Sequence, residues 1–194
     1  VLFIDYINEH LKPNGRAGII VPDGINYQPN KSYESLRKSF FKNLVGIVSL
    51  PTGVFQPYST VKTSVLILDK KISNDLKNIF YLEIRNDGYT LSSSRKKSTK
   101  NDISDAIDLI QSFLKNNGKL SVNKSDLNFL IIDKEKIKSN NYSLNINNYT
   151  IEKKSISQNK TISLGNLIEE SKERHDGNEE NILTVSNKYG FVKS

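Results

Sequence analysis

The 194-residue chain contains no cysteine, no methionine and only two histidines. Without cysteine there are no disulfides, no thiolate metal sites and no cysteine nucleophile, and nothing supports a secreted disulfide scaffold. His10 and His175 are far apart, and neither sits in a ligand spacing such as H-x-x-x-H. His10 is expected on the surface of a helix, and His175, between Arg174 and Asp176, in a solvated charged turn. No stretch approaches the roughly 18 consecutive apolar residues of a membrane span, and no signal peptide is evident. These absences predict a soluble, cytoplasmic protein with no membrane partner. Val1 leads straight into an apolar-periodic segment, so the chain reads as a fragment of a longer protein. There is also no P-loop, no G-x-G-x-x-G after a strand and no G-x-S-x-G elbow. The sequence therefore holds no complete active site.

What is present begins with charge. The formal net charge is +7, which suits a polyanion such as nucleic acid. Lys, Asn and Ile are all abundant, and an AT-rich coding sequence gives that balance without selection for binding.

The apolar pattern organises the first half. Leu2, Phe3, Tyr6, Ile7 and Leu11 recur at helical spacing, and Lys12-Pro13-Asn14-Gly15 ends that helix. Arg16 to Val21 fits a buried strand, closed by Pro22-Asp23-Gly24. A helix over Ser32 to Phe41 follows, then strands over Leu44 to Leu50 and Val61 to Leu68. The helix between the first two strands makes them parallel. About ten residues join the last two, too few for a helical crossover. The third strand should therefore lie beside the second and antiparallel to it, at one end of a mostly parallel sheet.

After Lys71 the pattern changes. Asn78 to Ile84 reads as a strand, Asp87-Gly88 as a turn, and Leu91 to Lys100 as an exposed basic loop. Asp102 to Leu114 is a helix, with Asn116-Asn117-Gly118 as its stop. A short apolar run follows at Phe129 to Ile132. An Asn-rich stretch over 137–150 carries regular Tyr, Leu and Ile anchors.

Two loops fall where an open α/β sheet binds ligands, outside the carboxyl ends of strands. They are VPDG (21–24) and SLPTGVFQPY (49–58). Asp23 is either a turn residue or an acceptor that orients a base. Phe55 and Tyr58 are either plugs beneath their loop or a platform for a planar ligand. The residues alone do not choose. Arg95, Lys96, Lys97 and Lys100 form either a phosphate-contacting patch or a solvated loop.

At these loops the phrases become specific. FIDYINEHLKPNGRAGIIVPDGIN, LVGIVSLPTGVFQPYSTVKTSVLILDKK, FYLEIRNDGYTLSSSRK and NNYSLNINNYT occur in one order. Together they resemble the C-terminal half of the methylation subunit of type I restriction-modification systems, the N-6 adenine-specific DNA methylase family, over about residues 1–150. The resemblance implies a seven-stranded methyltransferase sheet whose last strand is antiparallel. The fold class is then α/β, the distal part of a Rossmann-like methyltransferase sheet ending in an antiparallel hairpin, with an α+β tail. It also implies methyl transfer from S-adenosylmethionine to adenine N6 in DNA. Phe55 matches the family's base-stacking aromatic in the Val-Phe-x-Pro loop, with Tyr58 as its neighbour. The cofactor's Gly-rich loop has no match here. The catalytic Asn-Pro-Pro-Phe loop is expected upstream of Val1, so the fragment alone should be inactive.

The final stretch resembles the opening of a type I specificity-subunit recognition domain, through LGNLIE and ILTVSNKYG. The alternative for it is a tail that packs on the methylase. The expected organisation has four parts. Residues 1–71 are the distal half of the catalytic sheet and 72–150 the α+β part of the methylase. Residues 151–161 are a linker, and 162–194 begin a recognition domain. The implied partners are DNA, a specificity subunit or fused recognition domain, and a restriction subunit. The competing reading is a non-catalytic DNA-binding or assembly module.

Overall fold

The computed structural model describes residues 2–120 and 126–150, together with the backbone of 183–186 and 190–193. The elements run α1 (Leu2–His10), β1 (Arg16–Pro22), a 3-10 turn (Asp23–Asn26), α2 (Lys31–Phe41), β2 (Leu44–Ser49) and β3 (Thr63–Asp69). They continue with a second 3-10 turn (Ile72–Asn74), β4 (Asn78–Glu83), β5 (Asp87–Tyr89), β6 (Lys97–Asn101), α3 (Ile103–Lys115), β7 (Phe129–Asp133), α4 (Lys134–Ser139) and α5 (Asn147–Thr150). The chain divides into two units, 1–152 and 153–194. Of the second, the described part is an antiparallel pair, β8 (Leu183–Ser186) with β9 (Gly190–Lys193). The linker and most of the expected recognition segment, His175 included, lie outside the described residues. No helix among the described residues is long and apolar enough to cross a membrane.

The main sheet has the order β1-β3-β2-β4-β7. β3 lies between β1 and β2 and is antiparallel to both, so β1 and β2 point the same way without touching. β4 is parallel to β2, and β7 is antiparallel to β4. The hairpin of β2 and β3 is as the short connection requires. The "mostly parallel" expectation needs correction for this part of the sheet, because three of its four pairings are antiparallel. The physical reason is the insertion of β3, which turns what would be one parallel contact into two antiparallel ones.

Alternation along the strands builds one core on each face. Leu66, Leu68, Ile79 and Tyr81 face Ile4 of α1, Leu36, Phe40 and Phe41 of α2, and Ile137 and Leu144 beyond β7. Phe80 and Leu82 face Ala106, Leu109 and Phe113 of α3. Each such side chain contributes roughly 1.5–3 kcal/mol on full burial. A bulge between Leu44 and Gly46 shifts the register of β2, so Leu44 and Ile47 share a face although three residues apart.

Several local expectations change. On α1 the buried residues are Ile4 and Asn8, while Leu2, Phe3 and Tyr6 are exposed. Polar bonds aim the helix: Asn8 donates to the Ser39 carbonyl and accepts from Asn43 Nδ2. Asp87-Gly88 is part of β5 rather than a turn, and the second half of the basic loop is β6, paired with it. On α2, Asn30 caps the N-terminus by accepting from the Tyr33 amide at 2.9 Å.

Candidate functional site

β1, β2 and β4 end, and β3 begins, at the same end of the sheet. There Pro22 is exposed, closes β1 and stands in register with Thr63. The Asp23 amide donates to the Lys62 carbonyl at 2.9 Å. Asp23 Oδ1 accepts from Ser64 Oγ at 2.5 Å and from Asn26 Nδ2 at 3.2 Å. Asp23 thus serves the turn and, half-buried, also forms part of a cavity of about 410 Å3 with Asn26, Lys62, Tyr81, Glu83 and Asn145. Burial pushes the Tyr81 phenol up; the Ser49 hydroxyl acts the other way, and the Asp23 and Glu83 carboxylates add to the rise. Asn26 is 3% exposed, and its Oδ1 has no hydrogen-bond partner among the described residues. The Asp23 and Glu83 carboxylates in this lining suit a ligand that offers N–H donors.

The loop after β2 is a chain of tight turns. Val54, Gln56 and Tyr58 amides donate to the carbonyls of Pro51, Gly53 and Phe55 at 3.3, 3.1 and 3.0 Å. Gly53 has φ +88, which a glycine adopts without strain. Phe55 is half-buried and Tyr58 is 94% exposed. Neither ring belongs to the two packed core clusters. Neither lines the Asp23 cavity.

The basic residues divide. Arg95 points inward: its guanidinium pairs with Asp87, lies 5.4 Å from the centre of the Tyr89 ring and reaches the Gly53 carbonyl at 3.4 Å. It therefore braces the Phe55 loop against the β5–β6 hairpin and is not free for a phosphate. Lys96, Lys97 and Lys100 remain exposed. Sequence reasoning found Asp23 but not Asn26, Tyr81, Glu83 or Asn145. The parallel register of β4 with β2, which places Glu83 beside Ser49, was the missing signal.

The fold family implies S-adenosylmethionine, whose Gly-rich loop has no match in this sequence. At this sheet end the glycines are Gly24 and Gly53. A side-chain carbon at Gly24 would meet Gln28 at 3.2 Å, and one at Gly53 would meet the Leu91 carbonyl and Gln56 at 3.3 Å. Gly53 is buried against the Leu91 backbone, whereas the nearest neighbour of Gly24 is the end of the flexible Gln28 side chain.

The family profile described as "N-6 DNA Methylase" matches residues 1–158. The chain belongs to that family. It is 34% identical over 84 residues to the type I restriction enzyme EcoEI methylase subunit of Escherichia coli, covering 42% of this chain and 16% of that protein. With the EcoKI methylase subunit of Escherichia coli K12 the identity is 39% over 69 residues, covering 35% and 13%. This family member thus spans a small part of the curated relatives it matches. A chain from a structural study of type I R-M complex assembly superposes with a TM-score of 0.55 at 24% identity, covering 84% of this chain and 33% of that one. The type I methyltransferase subunit from Streptococcus thermophilus gives 0.53 at 20% identity, covering 72% and 27%. These two likenesses establish the fold.

Proposed function

We propose that these residues are the target-base side of an adenine-specific DNA methyltransferase of a type I-like restriction-modification system. In this reading a longer protein transfers the methyl group of S-adenosylmethionine to adenine N6, and its cofactor and catalytic loops lie outside the 194 residues. Family membership supports the reaction class. The single observation that carries the local reading is Phe55, half-buried in a loop that Arg95 braces at the carboxyl end of the sheet.

The chemistry explains why such a ring is needed. The amino group of a paired adenine is inaccessible in the duplex, so the base must leave the stack at a cost of a few kcal/mol. Stacking on an aromatic returns about 1–3 kcal/mol and needs no base-specific hydrogen bond. Phe55 supplies the stacking face and Tyr58 extends it. Pro22 and Asp23 shape the neighbouring strand-end loop. Lys96, Lys97 and Lys100 contact phosphate and supply salt-sensitive affinity. The further partners are a specificity subunit, or a recognition domain begun by residues 162–194, and a restriction subunit.

The test uses the full-length protein in two assays: labelled cofactor with DNA carrying adenine at the target position, and fluorescence with DNA carrying 2-aminopurine there. Label on adenine N6 is the expected result. Phe55→Ala should lose roughly 5- to 100-fold in kcat/KM and most of the 2-aminopurine signal. Label on cytosine, RNA or protein would refute the reaction, and unchanged turnover would remove Phe55 from the site. The second reading is a non-catalytic DNA-binding or assembly module. DNA binding without any methyl transfer by the full-length protein would favour it.

A further inference from the structure

A second concavity lies at the other end of the sheet, where β4 begins and β7 finishes. It encloses about 600 Å3 between the last turn of α2, the turn before β4 and the start of α4. Five lysines line it: Lys38, Lys42, Lys77, Lys134 and Lys138. Against them stand Asp133 and Glu135, so the lining carries a net +3, five minus two. Both carboxylates are already engaged. Asp133 accepts from the Glu135 amide at 2.7 Å, and Glu135 pairs with Lys138 at 2.7 Å. Among the described residues, the other four lysines have no carboxylate partner within salt-bridge distance.

The wall of this concavity is built, not merely charged. Lys134 is half-buried and donates to the Ser73 carbonyl at 2.6 Å. Burial, and then the charge of Lys138, holds the Lys134 ammonium below the usual lysine range. Ser73 is 2% exposed, and its Oγ has no hydrogen-bond partner among the described residues. Lysines converging on one concavity meet the needs of an anion with several phosphate oxygens. Duplex DNA would call for cations spread along a ridge. Here they surround a hollow of the size that holds small ligands, with Phe41, Leu76 and Tyr142 as its apolar part.

We propose that this concavity binds a small polyphosphate, in the form of a nucleoside di- or triphosphate or its inorganic equivalent. The site is separate from the Phe55 loop and does not depend on its role.

The test titrates the 194-residue chain with inorganic triphosphate and with ATP by calorimetry, while NMR follows the Ser73, Lys77 and Lys134 amides. Saturable binding with shifts at these amides is expected. Equal affinities would assign recognition to the phosphates alone, and tighter ATP binding would assign a share to the nucleoside; both support the site. Lys42→Gln and Lys77→Gln change exposed lysines and should preserve the fold. Each should weaken binding roughly five- to tenfold, with Lys96→Gln as the unaffected control. The proposal is overturned if neither compound binds at millimolar concentration, or if the two variants bind as the parent does. It is equally overturned if a DNA duplex shifts these amides while triphosphate leaves them unmoved.

Discussion

Replacing Gly46 by alanine tests the link between the sheet and α3. Gly46 lies in β2 directly across from Phe80 of β4. An added methyl carbon would sit 2.2 Å from Phe80 Cε1 and 2.3 Å from Cζ. Carbon atoms rest at about 3.5–4.0 Å, so more than an ångström of overlap must be relieved. The ring has nowhere to go. Phe80 is 0% exposed, edge-on to Phe113 at 5.3 Å and stacked on Phe129 at 5.5 Å. Overpacking of this kind costs about 1–3 kcal/mol. If Phe80 turns away, two aromatic contacts worth about 0.5–1.5 kcal/mol each weaken as well. The expected loss is therefore about 3 kcal/mol. Urea unfolding of the 194-residue chain, followed by far-ultraviolet circular dichroism, should show a lower midpoint with an unchanged slope. The double variant Gly46→Ala/Phe80→Leu makes room for the methyl and should show a favourable coupling of about 1 kcal/mol or more. A loss below about 1 kcal/mol, or strict additivity with Phe80→Leu, would refute the close-approach argument.

Two further outcomes are expected. Arg95→Gln removes the partner of Asp87 in a pair whose side chains are 19% and 11% exposed, which should cost about 1–3 kcal/mol locally. Amides from Gly53 to Tyr58 should then exchange faster with deuterium while those of β4 stay protected; equal protection across the loop would mean that Arg95 does not brace it. Tyr81 supplies a pH dependence whose sign follows from its raised phenol. Above the ordinary tyrosine value near 10 the unfolded chain loses this proton first, so the Tyr81 contribution to stability falls as pH rises through that value. Tyr81→Phe should flatten the decline of the urea midpoint between pH 9 and 11, and an unaltered slope would count against burial as the cause.

Local order was readable where one physical rule decided it. The β2–β3 hairpin followed from loop length alone, because about ten residues cannot make a crossover. The position of β3 between β1 and β2 did not follow, since pairing partners are chosen by tertiary contacts. The α1 face was misread for a related reason. Leu2, Phe3 and Tyr6 have the right spacing, but Asn8, donating to the Ser39 carbonyl and accepting from Asn43 Nδ2, aims the helix through Ile4 instead. At the candidate site, Pro22, Asp23, Phe55 and Tyr58 were visible because they stand in short strand-end phrases. Arg95 looked like one of four equivalent cations. Only the partner at Asp87, reached when the hairpin closes, separates it from Lys96, Lys97 and Lys100.

The insertion of β3 also fixes both ends of the loop before it. Its entry is tied by Leu50 N–H to the Thr63 carbonyl at 3.0 Å, and its exit by the Lys62 carbonyl to the Asp23 amide at 2.9 Å. The Ile84 amide donates to the Ser49 carbonyl at 2.9 Å, fixing the same corner from β4. Three strands therefore hold the two ends of the loop, and Arg95 holds its middle. In the proposed reading, a loop held in this way positions the Phe55 ring by its backbone, as stacking on a flipped base would require.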